Sequence, residues 1–163
     1  IPCAKKIQVA MVEPMIQPSA PSLPSMNALV VDDRDDVAMG LARLLRRRGH
    51  TVQVANDAHE ALRKGAALRP DVVFLDIGLP DLSGYDACME MRQSDWGTHA
   101  FIVAVTGRNE PEDMVRSANT GFDRHVAKPM DFGTLQSILS TVNMRGGFTD
   151  PNPAPDSGSV APV

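Results

Sequence analysis

The sequence predicts an α/β protein, folded as a (βα)5 doubly wound parallel sheet. Short apolar runs that suit strands alternate five times with longer segments whose apolar residues recur every three or four positions, as in amphipathic helices. Three of the runs are apolar almost throughout, which indicates strands buried on both faces of a parallel sheet. This order implies right-handed crossovers that place helices on both sides of the sheet.

The apolar runs are the predicted strands, and the helices between them are bounded by residues that favour helix ends. Gly49 should stop the first helix in a left-handed cap. Asn56 or Asp57 can cap the second helix, and Ser83 can cap the third. The fourth begins near Pro111, because proline is tolerated in a first turn, and a fifth helix follows the last strand. The predicted strands are Ala28–Val31, Thr51–Ala55, Val72–Leu75, Phe101–Val105 and the weaker His125–Ala127.

The helical period also predicts which residues face the core. In the first helix these are Val37, Leu41, Leu44 and Leu45, and in the second Ala58, Ala61 and Leu62. In the third they are Tyr85, Cys88 and Met89, and in the fifth Phe132, Leu135, Ile138, Leu139 and Val142. Three histidines lack metal-ligand spacing and are predicted to lie on the surface: His50, His59 and His99. Trp96 should lie in a loop at the end of the sheet opposite the site described below.

Composition limits the class of protein and its surroundings. The 163 residues are 43% hydrophobic and 22% charged, which fits one compact domain. A net charge of -4 gives no basic footprint for direct nucleic-acid binding. Two cysteines in unlike contexts form neither a disulfide framework nor a zinc pattern, so a reducing cytoplasm is the expected location. No apolar stretch approaches a membrane span, and no signal peptide is visible.

The two ends of the chain differ in composition from the middle. Residues 1–25 carry five prolines and form a predicted Pro-rich linker or leader, and residues 146–163 form a predicted disordered Pro/Gly/Ser tail. The folded domain is therefore expected to span residues 26–145.

Polar residues follow four of the predicted strands, at the point where each strand ends. Asp32 and Asp33 follow the first strand, Asp76 the third, Thr106 the fourth and Lys128 the fifth. Carboxyl ends of parallel strands share one edge of the sheet, which is where such proteins bind their ligands. Carboxylates that repel one another need a cation, and oxygen ligands favour Mg²⁺. A carboxylate nucleophile, a metal, a lysine and a hydroxyl donor are the parts needed to transfer a phosphoryl group.

Four segments carry a resemblance to a known family. They are LVVDD (29–33), VVFLDIGLPDLSGYD (72–86), VAVTG (103–107) and HVAKP (125–129). In this order and at these separations, the chain from about Met26 to Met144 resembles the receiver domain of two-component signalling, the response-regulator family. The resemblance implies a flavodoxin-like sheet with strand order 2-1-3-4-5.

The same resemblance implies a role for each site residue. Asp76 would be the phosphoacceptor and Asp33 a direct Mg²⁺ ligand beside it. Asp32 would act mainly through metal-bound water, and the backbone carbonyl of Gly78 would be a further ligand. Thr106 would be both a phosphoryl-binding residue and a switch residue.

Two further positions carry expectations from the family pattern. Lys128 would bind the phosphoryl oxygens, and the Lys128–Pro129 peptide bond would be cis, at a cost of about 0.5–1 kcal/mol. His125 stands at the switch position where the family usually has Tyr or Phe. It is either a half-exposed residue at the edge of a strand or a switch residue that adds a pH-dependent charge. Gly78 should leave the route of attacking water open, and Arg108 should alter dephosphorylation.

The resemblance also implies partners and a mechanism of signalling. The phosphodonor would be a phosphohistidine on a histidine kinase or a histidine phosphotransfer protein, and the domain itself would catalyse its phosphorylation and dephosphorylation. Phosphorylation would switch the fourth helix, fifth strand and fifth helix, a face that could also form a homodimer. The chain is expected to be the receiver of a hybrid histidine kinase or, as the alternative, a stand-alone regulator. No binding to nucleic acid or membrane is expected of this domain.

Three other classes of protein fit the sequence less well. A haloacid dehalogenase-type hydrolase needs a second Asp two residues after its nucleophile, and Gly78 stands there. A nucleotide or flavin module needs a Gly-rich loop after the first strand, where this chain has DDRDD (32–36). A receiver-like scaffold that is never phosphorylated would not need all the site residues.

Overall fold

The described residues of the computed structural model, 24–107 and 111–145, contain one parallel sheet of five strands in the order β2-β1-β3-β4-β5. The predicted fold class and strand order are therefore confirmed. The strands are β1 (Asn27–Val31), β2 (Thr51–Ala55), β3 (Val72–Asp76), β4 (Phe101–Thr106) and β5 (Arg124–Ala127). The helices are α1 (Asp35–Arg47), α2 (Ala58–Leu68), α3 (Gly84–Gln93), α4 (Pro111–Thr120) and α5 (Phe132–Arg145).

Nearly all of the predicted leader and tail lies outside the described residues, as does Arg108. Within the described ranges, no helix is long and apolar enough to cross a membrane.

The sheet is covered on both faces because alternate residues of its inner strands point to opposite sides. Ala28 and Val30 of β1 pack with α1 and α5, whereas Leu29 and Val31 pack with α2 and α3. Every residue of β3 and β4 is buried, as their nearly continuous apolar sequences predict. The order 2-1-3 means that the chain leaves β1 for β2 on one side and later returns to β3 on the other. A crevice forms at the carboxyl ends of β1 and β3, where ligands bind in sheets of this kind.

The predicted helix ends are confirmed where a cap residue sets them. Gly49, just after α1, has a φ of 92° and therefore adopts the left-handed conformation that glycine favours. Of the two candidate caps for α2, Asp57 is the one used, and its side chain accepts a hydrogen bond from the Glu60 N–H at 2.7 Å. Ser83 caps α3 by accepting from the Asp86 N–H.

Some predictions of helix orientation are wrong. Met89 and Phe132 are 49% and 55% exposed, although both were expected to face the core. In α1 the fully buried residues include Ala38 and Ala42, and Val37 is only half-buried. Small alanines face the sheet because they let the helix approach it closely; Leu45 is fully buried with them, and Leu41 and Leu44 pack partly buried against the same core.

Of the three histidines predicted to lie on the surface, His50 is the one for which the prediction is wrong. It is 6% exposed, and its Nδ1 accepts a hydrogen bond from the Met26 N–H at 3.1 Å. Burial, reinforced by the nearby charge of Arg48, lowers the pKa of His50, so the neutral ring that can accept this bond is favoured. His59 and His99 are exposed, as predicted.

Trp96 lies in the α3–β4 loop at the amino end of the sheet, the end predicted for it. It is 7% exposed and packs against Gly65 of α2 so closely that a Cβ at Gly65 would overlap its ring. The glycine is therefore required by the close approach of the indole.

Gly65→Ala is expected to destabilise the protein, although alanine is the better helix former. Overpacking typically costs about 1–3 kcal/mol, which exceeds the gain in helix propensity of up to about 1 kcal/mol. Gly40→Ala in α1 is the matched control, because a Cβ there meets nothing within 4 Å, and it should stabilise the protein. Urea unfolding of both variants followed by circular dichroism measures the difference. A Gly65→Ala variant as stable as Gly40→Ala would contradict the packing argument.

Candidate functional site

The site lies at the carboxyl ends of the strands, in the crevice between β1 and β3. Asp76 is the last residue of β3, one position beyond its predicted end, and Asp32 follows directly after β1. Both are buried, at 8% and 4% exposure, whereas Asp33 is exposed. Each of the three offers a carboxylate oxygen, and these oxygens lie within 4.8 Å of one another. Residues separated by 44 positions in sequence therefore meet because parallel strands end at one edge.

Lys128 supplies a positive charge to this cluster. Its Nζ lies 2.8 Å from Oδ2 of Asp32 and 3.5 Å from Oδ2 of Asp76. Burial alone would lower the pKa of Lys128, but the hydrogen bonds and charges of the two aspartates outweigh burial and raise it. The side chain therefore stays an ammonium group that bridges two carboxylates. The Lys128–Pro129 peptide bond is cis, as the resemblance implies.

Asp76 is held in an environment that disfavours its charge. Burial raises the pKa of its carboxyl, and the hydrogen bond from the Gly78 N–H at 3.0 Å and the charge of Lys128 offset this only in part. A carboxyl whose pKa is raised by folding binds its proton more tightly in the folded state. Its contribution to stability is therefore most favourable below its unfolded pKa and declines as pH rises through its folded pKa. At neutral pH the charged Asp76 opposes folding.

The remaining predicted site residues surround this cluster. Thr106 is buried at the end of β4, and its carbonyl accepts a hydrogen bond from the Lys128 N–H at 2.7 Å. Gly78 leaves open space beside Asp76, since a Cβ there would meet only Oδ1 of Asp76, at 3.8 Å. His125 is half-buried in β5, paired in register with Ala104.

A second group of side chains lies at the start of α2, and sequence spacing did not reveal it. Asp81, in the loop after β3, accepts hydrogen bonds from the N–H groups of Ala58 and His59, and its Oδ2 lies 2.7 Å from Nδ1 of His59. Burial opposes the charge of Asp81, but these bonds outweigh it and lower its pKa to about 2. With Asp57 these residues form a further group of possible metal ligands. The contacts join the loop after Asp76 to the N-terminus of α2.

An arginine clamp, formed by Arg92 and Asp123, lies at the opposite end of the sheet. Arg92 donates to the carbonyls of Gly97, Ala100 and Gly121 and forms a 2.7 Å ion pair with Asp123. The clamp joins the α3–β4 and α4–β5 loops. No role for either residue was predicted from the sequence.

The fold and the site together define a parallel α/β domain with an acidic crevice bridged by one lysine. Residues 28–140 match the family model described as the response regulator receiver domain. The chain therefore belongs to the response regulator receiver domain family.

Named relatives and solved structures agree with this family. The chain is 32% identical over 124 residues to the transcriptional regulatory protein AfsQ1 of Streptomyces coelicolor, covering 76% of this chain and 53% of AfsQ1. It is 33% identical over 136 residues to the response regulator MprA of Mycobacterium leprae, covering 83% of this chain and 58% of MprA. The chain thus spans only somewhat more than half the length of these relatives.

Two solved structures share the fold. A two-component response regulator from Clostridium difficile superposes with a TM-score of 0.70 at 26% identity, covering 76% of this chain and 99% of that one. The second is a co-crystal structure of the Saccharomyces cerevisiae histidine phosphotransfer signaling protein Ypd1 with the receiver domain of the response regulator Ssk1. It matches this chain with a TM-score of 0.71. That match has 22% identity and covers 78% of this chain and 95% of the other, so it shows the fold alone.

Proposed function

We propose that this chain is a phosphoacceptor that takes a phosphoryl group from a phosphohistidine onto Asp76. The observation that carries the proposal is the placement of Asp76, on a rigid strand end, within one cluster with Asp32, Asp33 and the Lys128 ammonium. A carboxylate oxygen of Asp76 attacks the phosphorus and forms an acyl phosphate. The phosphorus–nitrogen bond of the donor breaks, and the imidazole nitrogen keeps the electron pair and takes a proton from solvent.

The donor set fits a hard divalent cation. Three carboxylates whose oxygens lie within 4.8 Å offer only oxygen ligands, and an ion held by so few protein groups has room for water and phosphoryl oxygens, as Mg²⁺ prefers. Asp33 and Asp76 would hold Mg²⁺ directly, with the Gly78 carbonyl, and Asp32 through water. When bound, the ion would offset the charge of the carboxylates and of the phosphoryl oxygens.

Lys128 and Thr106 would receive the phosphoryl oxygens after transfer. The ammonium that bridges Asp32 and Asp76 at rest can turn to the phosphoryl group, and the Thr106 hydroxyl can donate to it. Movement of Thr106 and Lys128 would displace the ends of β4 and β5, and His125 would be the switch residue that follows. Arg108 would affect the phosphoryl lifetime. The surface formed by α4, β5 and α5 would carry the signal and is the candidate homodimer face.

The partners and the protein context belong to the same proposal. A histidine kinase or a histidine phosphotransfer protein would supply the phosphoryl group. A hybrid histidine kinase remains the predicted parent, whereas the names of MprA and AfsQ1 favour the alternative, a stand-alone response regulator. A cytoplasmic location, the boundaries 26–145 and the absence of direct contact with nucleic acid or membrane remain predictions.

Incubation of the chain with a small phosphodonor and Mg²⁺, followed by peptide mass analysis, tests the proposal. We expect one added phosphoryl group on Asp76 and none in Asp76→Asn or without Mg²⁺. Because the charged Asp76 opposes folding at neutral pH, Asp76→Asn should have a Tm no lower than the wild type. A measured Tm of this kind would exclude loss of folding as the cause of lost labelling. Labelling at another residue, or none in the wild type, would refute the proposal.

A further inference from the structure

Asn56, between β2 and α2, contacts the turn that carries the acidic residues. Its side-chain Nδ2 donates to the backbone carbonyl of Asp32 at 3.1 Å and to Oδ1 of Asp35 at 2.7 Å. Its own backbone N–H donates to Oε2 of Glu60 at 2.8 Å, which ties Asn56 to the first turn of α2. One amide therefore bridges the two ends of the acidic turn.

The main chain just before Asp33 is held from the side of β2. The Asp32 N–H donates to the Ala55 carbonyl at 3.1 Å, and the Asp32 carbonyl accepts from Asn56. Both polar backbone groups of Asp32 thus bind the end of β2 and the residue after it. Asp33 follows directly, so the position of its exposed carboxylate depends on this attachment.

The same amide also separates charges within the turn. Four carboxylates lie in residues 32–36, and they repel one another unless donors or cations intervene. The hydrogen bond from Asn56 holds Asp35 towards the β2–α2 segment. Without this bond, Asp35 would be free to compete with Asp33 for a cation, and the turn would hold its ligands less well.

We propose that Asn56 is a positioning residue for the divalent cation, acting through the backbone of Asp32 and the carboxylate of Asp35 on Asp33. The inference rests on the proposed function, because it assumes that the cluster binds Mg²⁺. Groups that orient metal ligands typically contribute 10- to 100-fold in metal affinity. Asn56 acts through the backbone of Asp32 rather than directly on a metal ligand. We therefore expect Asn56→Ala to lower the affinity for Mg²⁺ by about tenfold, the lower end of this range.

Asn27 offers a matched control at the other end of β1. Its Nδ2 donates to the Leu68 carbonyl at 3.1 Å, so Asn27→Ala also removes a bond from a side-chain amide to a carbonyl. That bond likewise joins the β1 and α2 regions, but it lies at the amino end of the strand. A loss of stability should therefore be common to both variants, and a loss of Mg²⁺ affinity should be confined to Asn56→Ala.

Titration calorimetry of Mg²⁺ binding to the full 163-residue chain, with Tm measured alongside, tests the inference. We expect the Mg²⁺ Kd to rise about tenfold in Asn56→Ala and to stay unchanged in Asn27→Ala. Saturating Mg²⁺ should restore the rate at which Asn56→Ala takes up the phosphoryl group, since the loss lies in metal binding. An unchanged Kd in Asn56→Ala, or an equal rise in both variants, would overturn the inference while leaving the proposed function standing. A wild type that binds no Mg²⁺ would overturn both.

Discussion

Arg92→Ala is expected to lower the free energy of unfolding by about 1.5–3 kcal/mol, the typical net contribution of hydrogen bonds to a charged group. The Arg92 and Asp123 side chains are 23% and 17% exposed, so water can replace the lost contacts only in part, and Asp123 keeps an ion pair with Arg145 at 2.9 Å. The carbonyls of Gly97, Ala100 and Gly121 would lose a donor at the same time. The total stability of a small domain is only about 5–15 kcal/mol, so such a loss is a substantial fraction of it.

Two other arginine variants separate the geometry of the clamp from its charge. Arg92→Lys keeps the charge but cannot span the same carbonyls, because an ammonium lacks the planar fork of the guanidinium, and it should recover only part of the stability. Arg63→Ala removes an arginine that is 75% exposed and 3.9 Å from Glu60, and it should change stability by less than about 0.5 kcal/mol. Urea unfolding followed by circular dichroism measures all three. Equal stability of Arg92→Ala and Arg63→Ala would show that the clamp has no structural role.

Lys128→Met should bind Mg²⁺ more tightly than the wild type and accept the phosphoryl group far more slowly. At rest the ammonium occupies the carboxylates that the ion would use. Two unit charges 4 Å apart near a protein surface interact by about 4 kcal/mol. If removal of the ammonium relieves only about 1.4 kcal/mol of its repulsion with the bound ion, the Kd for Mg²⁺ falls tenfold. Loss of a donor to the phosphoryl oxygens should slow transfer by about a hundredfold, comparable with removal of one oxyanion-binding group.

Stability provides a second measurement of the same effect. Without Mg²⁺, Lys128→Met leaves three carboxylates facing one another and should have a lower Tm than the wild type. Added Mg²⁺ should raise its Tm by more than it raises that of the wild type, because at a given concentration a ligand that binds more tightly stabilises the folded protein more. Lys64→Met is the control, since Lys64 is 30% exposed and paired with Glu60 at 2.8 Å. If Lys128→Met and Lys64→Met responded alike to Mg²⁺, Lys128 would not compete with the ion.

Much of the fold could be predicted because its signals are local. The runs that became β3 and β4 are apolar throughout, and Asp57 and Ser83 occupy positions where a side chain can reach the next turn of backbone. The orientation of Met89 and Phe132 could not be predicted in the same way. Which face of a helix is buried depends on how the helix lies on the sheet, and a stripe of apolar residues is wide enough to allow several rotations.

The candidate site shows the same division. Asp32, Asp76 and Lys128 could be placed together from sequence, since one rule brings all carboxyl ends of parallel strands to one edge. The role of Arg92 could not be recognised, because most of its partners are backbone carbonyls, and the contact of Asn56 with the Asp32 carbonyl could not be recognised for the same reason. His50 likewise binds a backbone N–H. Nearly every residue carries a backbone N–H and a carbonyl, so a contact with either group cannot be predicted from residue type.

The sequence by itself determined the strand and helix order, the acidic edge of the sheet and the family to which the chain belongs. These depend on hydrophobic period and on residue type, which are properties of short segments. Only the tertiary structure decided that Asn56 holds the acidic turn, that Arg92 joins two loops and that Gly65 accommodates Trp96. Those contacts join segments far apart in the chain, and their distances exist only after the helices have packed against the sheet.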